Sequence, residues 1–190
     1  TDGKKMAILA IDLGGTRLRA AWYSEDFTQL ARAETKTRSE EGQEAVIARV
    51  LDTARQVVPA GESPRIIGMS TPGPMNAKRG VILHSFVLPG WQDVPLAGIV
   101  SEAFGGVPTF AENDGNVAPI AEYRLGAGQG ANPMIYMTIS TGIGGGVILD
   151  GKLFTGWSGR AAEPGHMQFT DDEGQVRRLE ELASGTGLGE

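Results

Sequence analysis

The chain has 190 residues, a formal charge of -6 at pH 7 and no cysteine. This length allows one large domain or two small ones, and the lack of cysteine excludes a disulfide framework and any thiolate metal site. The acidic balance without a basic cluster argues against a surface dedicated to nucleic acid, and no apolar run is long enough to cross a bilayer. We therefore expect a soluble, cytoplasmic protein whose residues 1–5 form a polar tail.

The first predicted element is a strand over residues 6–12, an unbroken apolar run that ends in Asp12. Two glycines, Gly14 and Gly15, separate it from a second strand at 18–23, and this pattern indicates a hairpin. Paired glycines let backbone N–H groups approach an anion closely, and an adjacent aspartate can hold a hydrated Mg²⁺. The alternative is a plain hairpin turn with a solvated aspartate.

A third strand at 30–38 completes a predicted three-strand meander. Apolar positions at helical spacing then predict an amphipathic helix over 40–58, begun by Ser39 and stopped before Pro59. A buried strand at 65–70 follows it.

Two Pro-Gly loops come next in the chain. The strand at 65–70 leads into Thr71-Pro-Gly-Pro74, and an extended piece at 81–87 leads into Leu88-Pro-Gly-Trp91. A rigid loop at the end of a strand suits the rim of a ligand site, although most such segments are only turns. A short helix is expected at 95–104, opened by proline.

The segment Phe110–Asn116 contains one carboxylate between two amides, in Asn113, Asp114 and Asn116. A strand over 107–111 and a helix from Val117 to about Arg124 would place Asn113, Asp114 and Asn116 at a strand-to-helix turn. Such turns open at the carboxyl end of the strand, where ligands usually bind. Asp114 is our candidate for a catalytic base, and the alternative is that Asp114 or Asn113 only caps the helix.

The second half repeats the strand–turn–strand pattern. A strand at 134–140, a glycine-rich turn at 141–146 and a return strand at 147–149 are predicted, with Asp150-Gly151 as a hairpin turn into 152–154. The glycine-rich turn matches neither a dinucleotide fingerprint nor a P-loop. Paired with the first glycine turn, it predicts two similar lobes that grip a polyphosphate from both sides.

Glu163-Pro-Gly-His166 is the last polar motif that the pattern alone singles out. Both side chains could point into one site as partners for hydroxyl groups, or they could be two surface residues of a loop. His84, the other histidine, has no evident partner in the sequence and is expected to be structural.

Taken in order, these motifs resemble the ROK group (repressor, open reading frame, kinase) of sugar kinases and sugar-responsive repressors. The resemblance covers nearly the whole chain. The matching segments are Asp12-Leu-Gly-Gly-Thr16, Thr71-Pro-Gly-Pro74, Leu88-Pro-Gly-Trp91, Glu112-Asn-Asp-Gly-Asn116, Thr141-Gly-Ile-Gly-Gly-Gly146, Glu163-Pro-Gly-His166 and Leu179-Glu-Glu-Leu-Ala-Ser-Gly185.

The resemblance implies an α/β, actin-like ATPase fold of two ribonuclease-H-like lobes, with sugar and ATP meeting in the cleft. The first lobe would span residues 1–112, and residues 113–190 would begin the second. It further implies an ATP- and Mg²⁺-dependent hexose kinase, glucokinase-like, that takes glucose and forms a homodimer when full length.

Individual roles also follow from the resemblance. Asp114 would be the base that takes the proton from the attacking sugar hydroxyl, and Asp12 would help to place Mg²⁺, through water. The implied sugar contacts are Gly73, Asn113, Asp114, Glu163, His166 and Glu180. The implied contacts to the phosphates of ATP are Asp12, Gly14, Gly15, Thr16, Thr141, Gly142 and Gly144.

Three departures from the family pattern qualify these expectations. Residues 168–178 lack the cysteines that join the motif histidine in a zinc site, so no structural zinc is expected. Val87 stands where members often carry an asparagine, which leaves one sugar contact and the identity of the sugar open. The chain also stops inside the expected second lobe, so we expect a fragment that binds ATP poorly.

A sugar-sensing transcriptional regulator is the alternative function. Family repressors place a helix-turn-helix domain before the first phosphate motif, whereas only five residues precede Met6 here. The acidic balance and the presence of Asp114 with both glycine turns favour the kinase.

Overall fold

A computed structural model describes residues 7–157 and 161–189. The chain divides into two compact units, Thr1–Asp114 and Gly115–Glu190. The predicted polar tail at residues 1–5 and the first residue of the first predicted strand, Met6, lie outside the described residues.

The first unit is built on a five-stranded sheet with the order β3-β2-β1-β4-β8. Strands β1, β2 and β3 form the predicted antiparallel meander, while β4 and β8 continue the sheet in parallel with β1. The strands of this sheet are β1 Ala7–Leu13, β2 Arg17–Ser24, β3 Gln29–Lys36, β4 Ile66–Thr71 and β8 Thr109–Asn113.

Helices α1 (Gln43–Val57) and α2 (Leu96–Ala103) contribute to the core of this unit. In α1, Val46, Val50 and Ala54 recur every fourth residue and are fully buried, because this spacing keeps them on one face of a helix. In β1 every second residue is buried, as expected for a strand with one face on the core.

The predicted start of the first helix at Ser39 is wrong. Ser39–Glu41 form a 3₁₀ turn, and α1 begins only after Gly42. Arg38 and Gly42 have φ values of 52° and 90°, which a right-handed helix cannot contain. The periodic pattern of polar and apolar residues does not reveal such backbone breaks.

A small antiparallel sheet in the order β5-β6-β7 lies between β4 and α2 in sequence. Its strands are β5 Met75–Asn76, β6 Val81–His84 and β7 Gln92–Val94, so the predicted extended piece at 81–87 ends at His84. The loop after β6 is anchored by two buried side chains, Leu88 and Trp91.

Helix α3 (Asp114–Leu125) follows β8 without a linker. The strand extends to Asn113 and the helix begins at Asp114, rather than at Val117 as predicted. An acidic residue in the first turn stabilises the positive end of the helix dipole, which favours the earlier start.

The second unit contains an antiparallel sheet in the order β11-β10-β9. Its strands are β9 Met134–Ile139, β10 Ile143–Leu149 and β11 Lys152–Leu153. The predicted turn at 141–146 is shorter than expected, because Gly144–Gly146 belong to β10. A Cβ atom on Gly145 would lie 2.9 Å from Pro164, so this strand requires residues without side chains.

The hairpin predicted from Asp150-Gly151 is confirmed. Both residues have positive φ values, 49° and 75°, as the tight turn between β10 and β11 requires. After a 3₁₀ turn at Pro164–His166 the described chain continues through β12 Gln168–Thr170, β13 Val176–Arg178 and α4 Leu179–Ala183. Within the described ranges, no helix is long and apolar enough to cross a membrane.

The buried face of β1 should carry much of the stability of the first unit. We expect Leu9→Ala, at a side chain with no exposed surface, to lower the free energy of unfolding by about 3 kcal/mol, because it leaves a cavity. Leu30→Ala in β3 is the control, since Leu30 is 61% exposed and its loss should change stability by about 0.5 kcal/mol or less. Urea unfolding of the variants measures both, and equal losses would contradict the assignment of the core.

Candidate active site

The first glycine turn joins β1 to β2. The N–H of Gly14 donates to the carbonyl of Arg17 at 2.8 Å, so this group closes the turn. A Cβ atom on Gly15 would lie 2.7 Å from the Cβ of Val87, so a side chain there would collide with the loop after β6. The first glycine turn and the loop that carries Val87 are therefore in direct contact.

Asp12, at the end of β1, belongs to a row of charges across three strands. It lies opposite Arg19 in β2, and Arg19 lies opposite Glu34 in β3. Arg19 donates through Nη1 to Oδ2 of Asp12 at 2.9 Å and through Nε to Oε2 of Glu34 at 3.1 Å. Arg19 lies in none of the predicted motifs, because its place beside Asp12 follows from the register of the β1–β2 hairpin and not from its neighbours in the chain.

The charges of this row change the pKa values of its members. Hydrogen bonds from Arg17 and then Arg19 lower the pKa of the Glu34 carboxyl. The hydrogen bonds to Asp12 and Glu34 raise the pKa of Arg19 above its already high value, so this guanidinium stays charged. Asp12 thus faces a permanent cation.

This environment fits the predicted water-mediated role of Asp12 toward Mg²⁺. The side chain is 45% exposed, and one of its oxygens is bound to Arg19. A neighbouring guanidinium opposes a second cation at direct bonding distance but leaves room for a contact through a metal-bound water. In residues 7–157 and 161–189, no group of three or more His, Cys, Asp or Glu side chains could hold a metal ion.

The predicted sugar-side residues Gly73 and Asn113 are brought together in the first unit. The side-chain amide of Asn113 donates through Nδ2 to the carbonyl of Gly73 at 2.9 Å. Gly73 has a φ of 88°, and a Cβ atom there would clash with the carbonyl of His84. Asp114 directly follows Asn113 and is exposed at the first position of α3.

His84 contacts Phe86, with ring centroids 5.3 Å apart in an edge-to-face arrangement. Its carbonyl packs against Gly73, so the residue shapes the loop beside the predicted sugar contacts, in line with the structural role expected for it.

In the second unit, Glu180 reaches the second glycine turn. Its Oε2 accepts a hydrogen bond from the N–H of Ile143 at 2.9 Å, and a Cβ atom on Gly142 would clash with the same oxygen. A side chain at residue 142 would therefore displace the carboxylate from the turn. This contact joins the motif predicted to bind phosphate to a residue predicted to bind the sugar.

The Glu163–His166 loop packs beside this turn. Gly165 is buried, and a Cβ atom on it would clash with the carbonyl of Ile143. Glu163 and His166, on either side of the buried glycine, are both exposed. Gly144 lies further along β10, where a Cβ atom would be 3.3 Å from Thr138.

A cavity of about 390 Å³ opens beside Thr141 in this unit. Thr186 closes one side of it, donating through its hydroxyl to the carbonyl of Thr141 at 2.9 Å. The pKa of Glu181 in its wall is lowered, mainly by a hydrogen bond from the backbone N–H of Arg178. The cavity is lined by Thr141, Gly142, Arg177, Glu180, Glu181, Ser184, Thr186 and Gly187. These donors and carboxylates suit a polar ligand.

The ROK family model matches residues 8–190. The solved structure of a ROK family glucokinase from Streptomyces griseus, in complex with glucose and AMPPNP, superposes with a TM-score of 0.74 at 31% identity, over 96% of this chain and 58% of that one. The chain therefore has the α/β, actin-like ATPase architecture of ROK sugar kinases. It belongs to the ROK family.

Curated relatives include kinases for different sugars. The chain is 36% identical over 163 residues to the glucokinase of Thermotoga maritima, covering 86% of this chain and 51% of the relative. It is 36% identical over 196 residues to the N-acetylmannosamine kinase of Citrobacter koseri, covering 96% of this chain and 63% of that protein. The chain thus spans roughly half to two thirds of the length of these relatives.

The ion pairs of Glu34 should make stability depend on pH. Because the pKa of Glu34 is lowered in the folded protein, its contribution is present above the ordinary glutamate value of 4.5 and is lost as the pH falls through the lower folded value. We expect Glu34→Gln to be less stable than the wild type at pH 7 and to lose less stability on acidification below 4.5. Urea unfolding at several pH values measures this, and Glu62→Gln, at an exposed residue, serves as the control.

Gly73 should not tolerate a side chain. Gly73→Ala must both adopt a positive φ and displace the carbonyl of His84, whereas Gly61→Ala, at a φ of 79° with nothing within 4 Å, bears only the backbone strain. We expect the first substitution to destabilise the protein by at least about 1 kcal/mol more than the second in urea unfolding. Equal effects would contradict the close packing at Gly73.

Proposed function

We propose that the protein catalyses ATP-dependent phosphorylation of a hexose hydroxyl, with glucose as the acceptor. The observation that carries the proposal is the junction of β8 and α3. There Asp114 is exposed directly after Asn113, whose amide is held on the carbonyl of Gly73. The ATP analogue and glucose named for the Streptomyces griseus structure support this choice of substrates.

The chemistry of phosphoryl transfer explains why these residue types suit the reaction. The transfer needs alignment of the reactants, neutralisation of phosphate charge and an acceptor for the proton of the attacking hydroxyl. The carboxylate of Asp114 accepts that proton. Asn113 and Gly73 hold the sugar on one side, and Glu163, His166 and Glu180 bind its other hydroxyls.

The two glycine turns bind the phosphates of the donor. Gly15 and Thr16 serve in one turn, which the N–H of Gly14 closes, and Thr141, Gly142 and Gly144 serve in the other, since glycines let neighbouring backbone N–H groups approach an anion. Asp12 would hold Mg²⁺ through water, and the ion would neutralise phosphate charge. Residues 1–112 serve as the first lobe of the enzyme and residues 113–190 begin the second, and the full-length enzyme works in the cytoplasm as a homodimer.

N-acetylmannosamine is the competing acceptor, because a relative of similar identity carries that name. Carboxylates such as Glu163 and Glu180 recognise hydroxyl groups, whereas an acetamido group also requires a donor for its carbonyl. Comparison of glucose, mannose and N-acetylmannosamine at equal concentration in an assay with ATP and Mg²⁺ distinguishes the two acceptors.

Asp114→Asn should abolish the activity of the full-length protein. Removal of a general base lowers kcat by about 100-fold or more, while sugar binding by the other residues should remain. The matched control is Asp52→Asn, at an exposed aspartate on the outer side of α1 with 69% of its side chain accessible. A coupled assay for ADP formation measures both variants.

Two outcomes would contradict the kinase proposal. One is a lack of turnover with every hexose tested, and the other is an Asp114→Asn variant as active as the wild type. Sugar binding without turnover, together with binding of operator DNA by the full-length protein, would instead support the sugar-sensing regulator.

A further inference from the structure

Thr37 is a buried polar residue that lies in none of the family motifs. It directly follows β3 and has no exposed surface, so its polar groups need partners within the protein. It finds them on the first glycine turn. Its backbone N–H donates to the carbonyl of Thr16 at 2.9 Å, and its hydroxyl donates to the carbonyl of Gly14 at 2.6 Å.

These two bonds determine the direction of the peptide groups in the turn. In a trans peptide the C=O and the N–H of the same unit point in opposite directions. Because the carbonyl of Gly14 points to Thr37, the N–H of Gly15, which shares that peptide unit, points away from Thr37. The bonds also hold two carbonyl oxygens, which would repel a phosphate, on the Thr37 side of the turn.

Thr37 is in turn fixed by helix α1. Arg49 donates through Nη1 to the carbonyl of Thr37 at 2.6 Å, and its guanidinium also pairs with Glu41. Only 19% of the Arg49 side chain is exposed, and a charged donor in such a partly buried position forms a strong hydrogen bond. The hydrogen bond from Arg49 lowers the pKa of Glu41, so this carboxylate stays charged at neutral pH.

We infer that Thr37 is a positioning residue that presents the N–H of Gly15 to the phosphates of the nucleotide, and that Arg49 holds Thr37 in place for this purpose. The inference rests on the proposed function and extends it, since it assigns donor binding to a residue outside the glycine turn itself. Thr37 does not touch the nucleotide. It acts through the backbone of Gly14, Gly15 and Thr16.

Thr37→Val tests the role of the hydroxyl in the full-length protein. Valine keeps the shape and the backbone N–H but removes the donor to the carbonyl of Gly14, so that carbonyl is no longer held. We expect the KM for ATP to rise about five- to tenfold, which corresponds to one buried hydrogen bond, while the KM for the sugar stays within about twofold of the wild-type value. Thr37→Ser, which restores the hydroxyl, should recover most of the loss.

Thr53→Val is the matched control. Thr53 is 2% exposed, lies on the same helix as Arg49, and donates its hydroxyl to the carbonyl of Arg49 at 2.7 Å. This substitution removes a hydroxyl of equal burial without touching the glycine turn, so both KM values should remain at the wild-type level. A purely structural effect of losing a buried hydroxyl would appear equally in both variants.

Calorimetric binding of ADP and of ATP in the absence of sugar gives a second measurement that does not depend on turnover. Thr37→Val should weaken nucleotide binding by the same five- to tenfold, and Arg49→Gln should do so as well if Thr37→Val cannot be produced in folded form. A wild-type protein that binds nucleotide but phosphorylates no sugar would overturn the proposed function alone, and the comparison of variants would still decide the inference.

The inference is overturned by any of three results. The first is an unchanged affinity for nucleotide in both Thr37→Val and Arg49→Gln. The second is an equal rise of the KM for the sugar and the KM for ATP in Thr37→Val. The third is a rise of the KM for ATP in Thr53→Val as large as that in Thr37→Val. Failure of the wild-type protein to bind any nucleotide would overturn it together with the proposed function.

Discussion

The parallel pairing of β1, β4 and β8 is the constraint on which the candidate site of the first unit depends. The register sets Asp12 beside Ser70, and Ser70 beside Glu112, so the carboxyl ends of the three strands finish in one row. The polar motif that follows each strand therefore begins at the same edge of the sheet, where ligand sites of parallel sheets are expected. Without this register, segments a hundred residues apart in the chain would have no reason to meet.

Close packing between backbone segments at glycine residues also shapes the candidate site. Gly15 packs against Val87, and Gly73 fits beneath the carbonyl of His84 while accepting the amide of Asn113. In the second unit Gly165 packs against the carbonyl of Ile143, and Gly142 lies beside the carboxylate of Glu180, which binds the turn. The glycines therefore have a packing role as well as the predicted role toward phosphate, and the two requirements are compatible because both need the absence of a Cβ atom.

The sequence predicted the parts of the molecule that local chemistry determines. Apolar runs located β1, β9 and the parallel strands, and Asp150-Gly151 located a hairpin, because these signals depend on neighbours in the chain. It placed the start of α1 wrongly, since left-handed backbone at Arg38 and Gly42 leaves little trace in the pattern. It also missed Arg19, whose partners lie on the neighbouring strands, and Thr37, whose partners lie in the turn between β1 and β2, because both sets become visible only when the register is known.

Val87 shows why such tertiary partners matter for function. The family pattern suggested a lost sugar contact at this position, since valine cannot form a side-chain hydrogen bond. In the structure Val87 meets Gly15, so its contribution there is apolar packing against the turn in which the carbonyl of Gly14 accepts the hydroxyl of Thr37. Under the proposed function, recognition of the sugar then falls to Asn113 and to the carboxylates, while Val87 and Thr37 together fix the shape of the turn that receives the donor. Under the proposed function, Val87 departs from the family pattern on the sugar side but contributes to the turn that binds ATP.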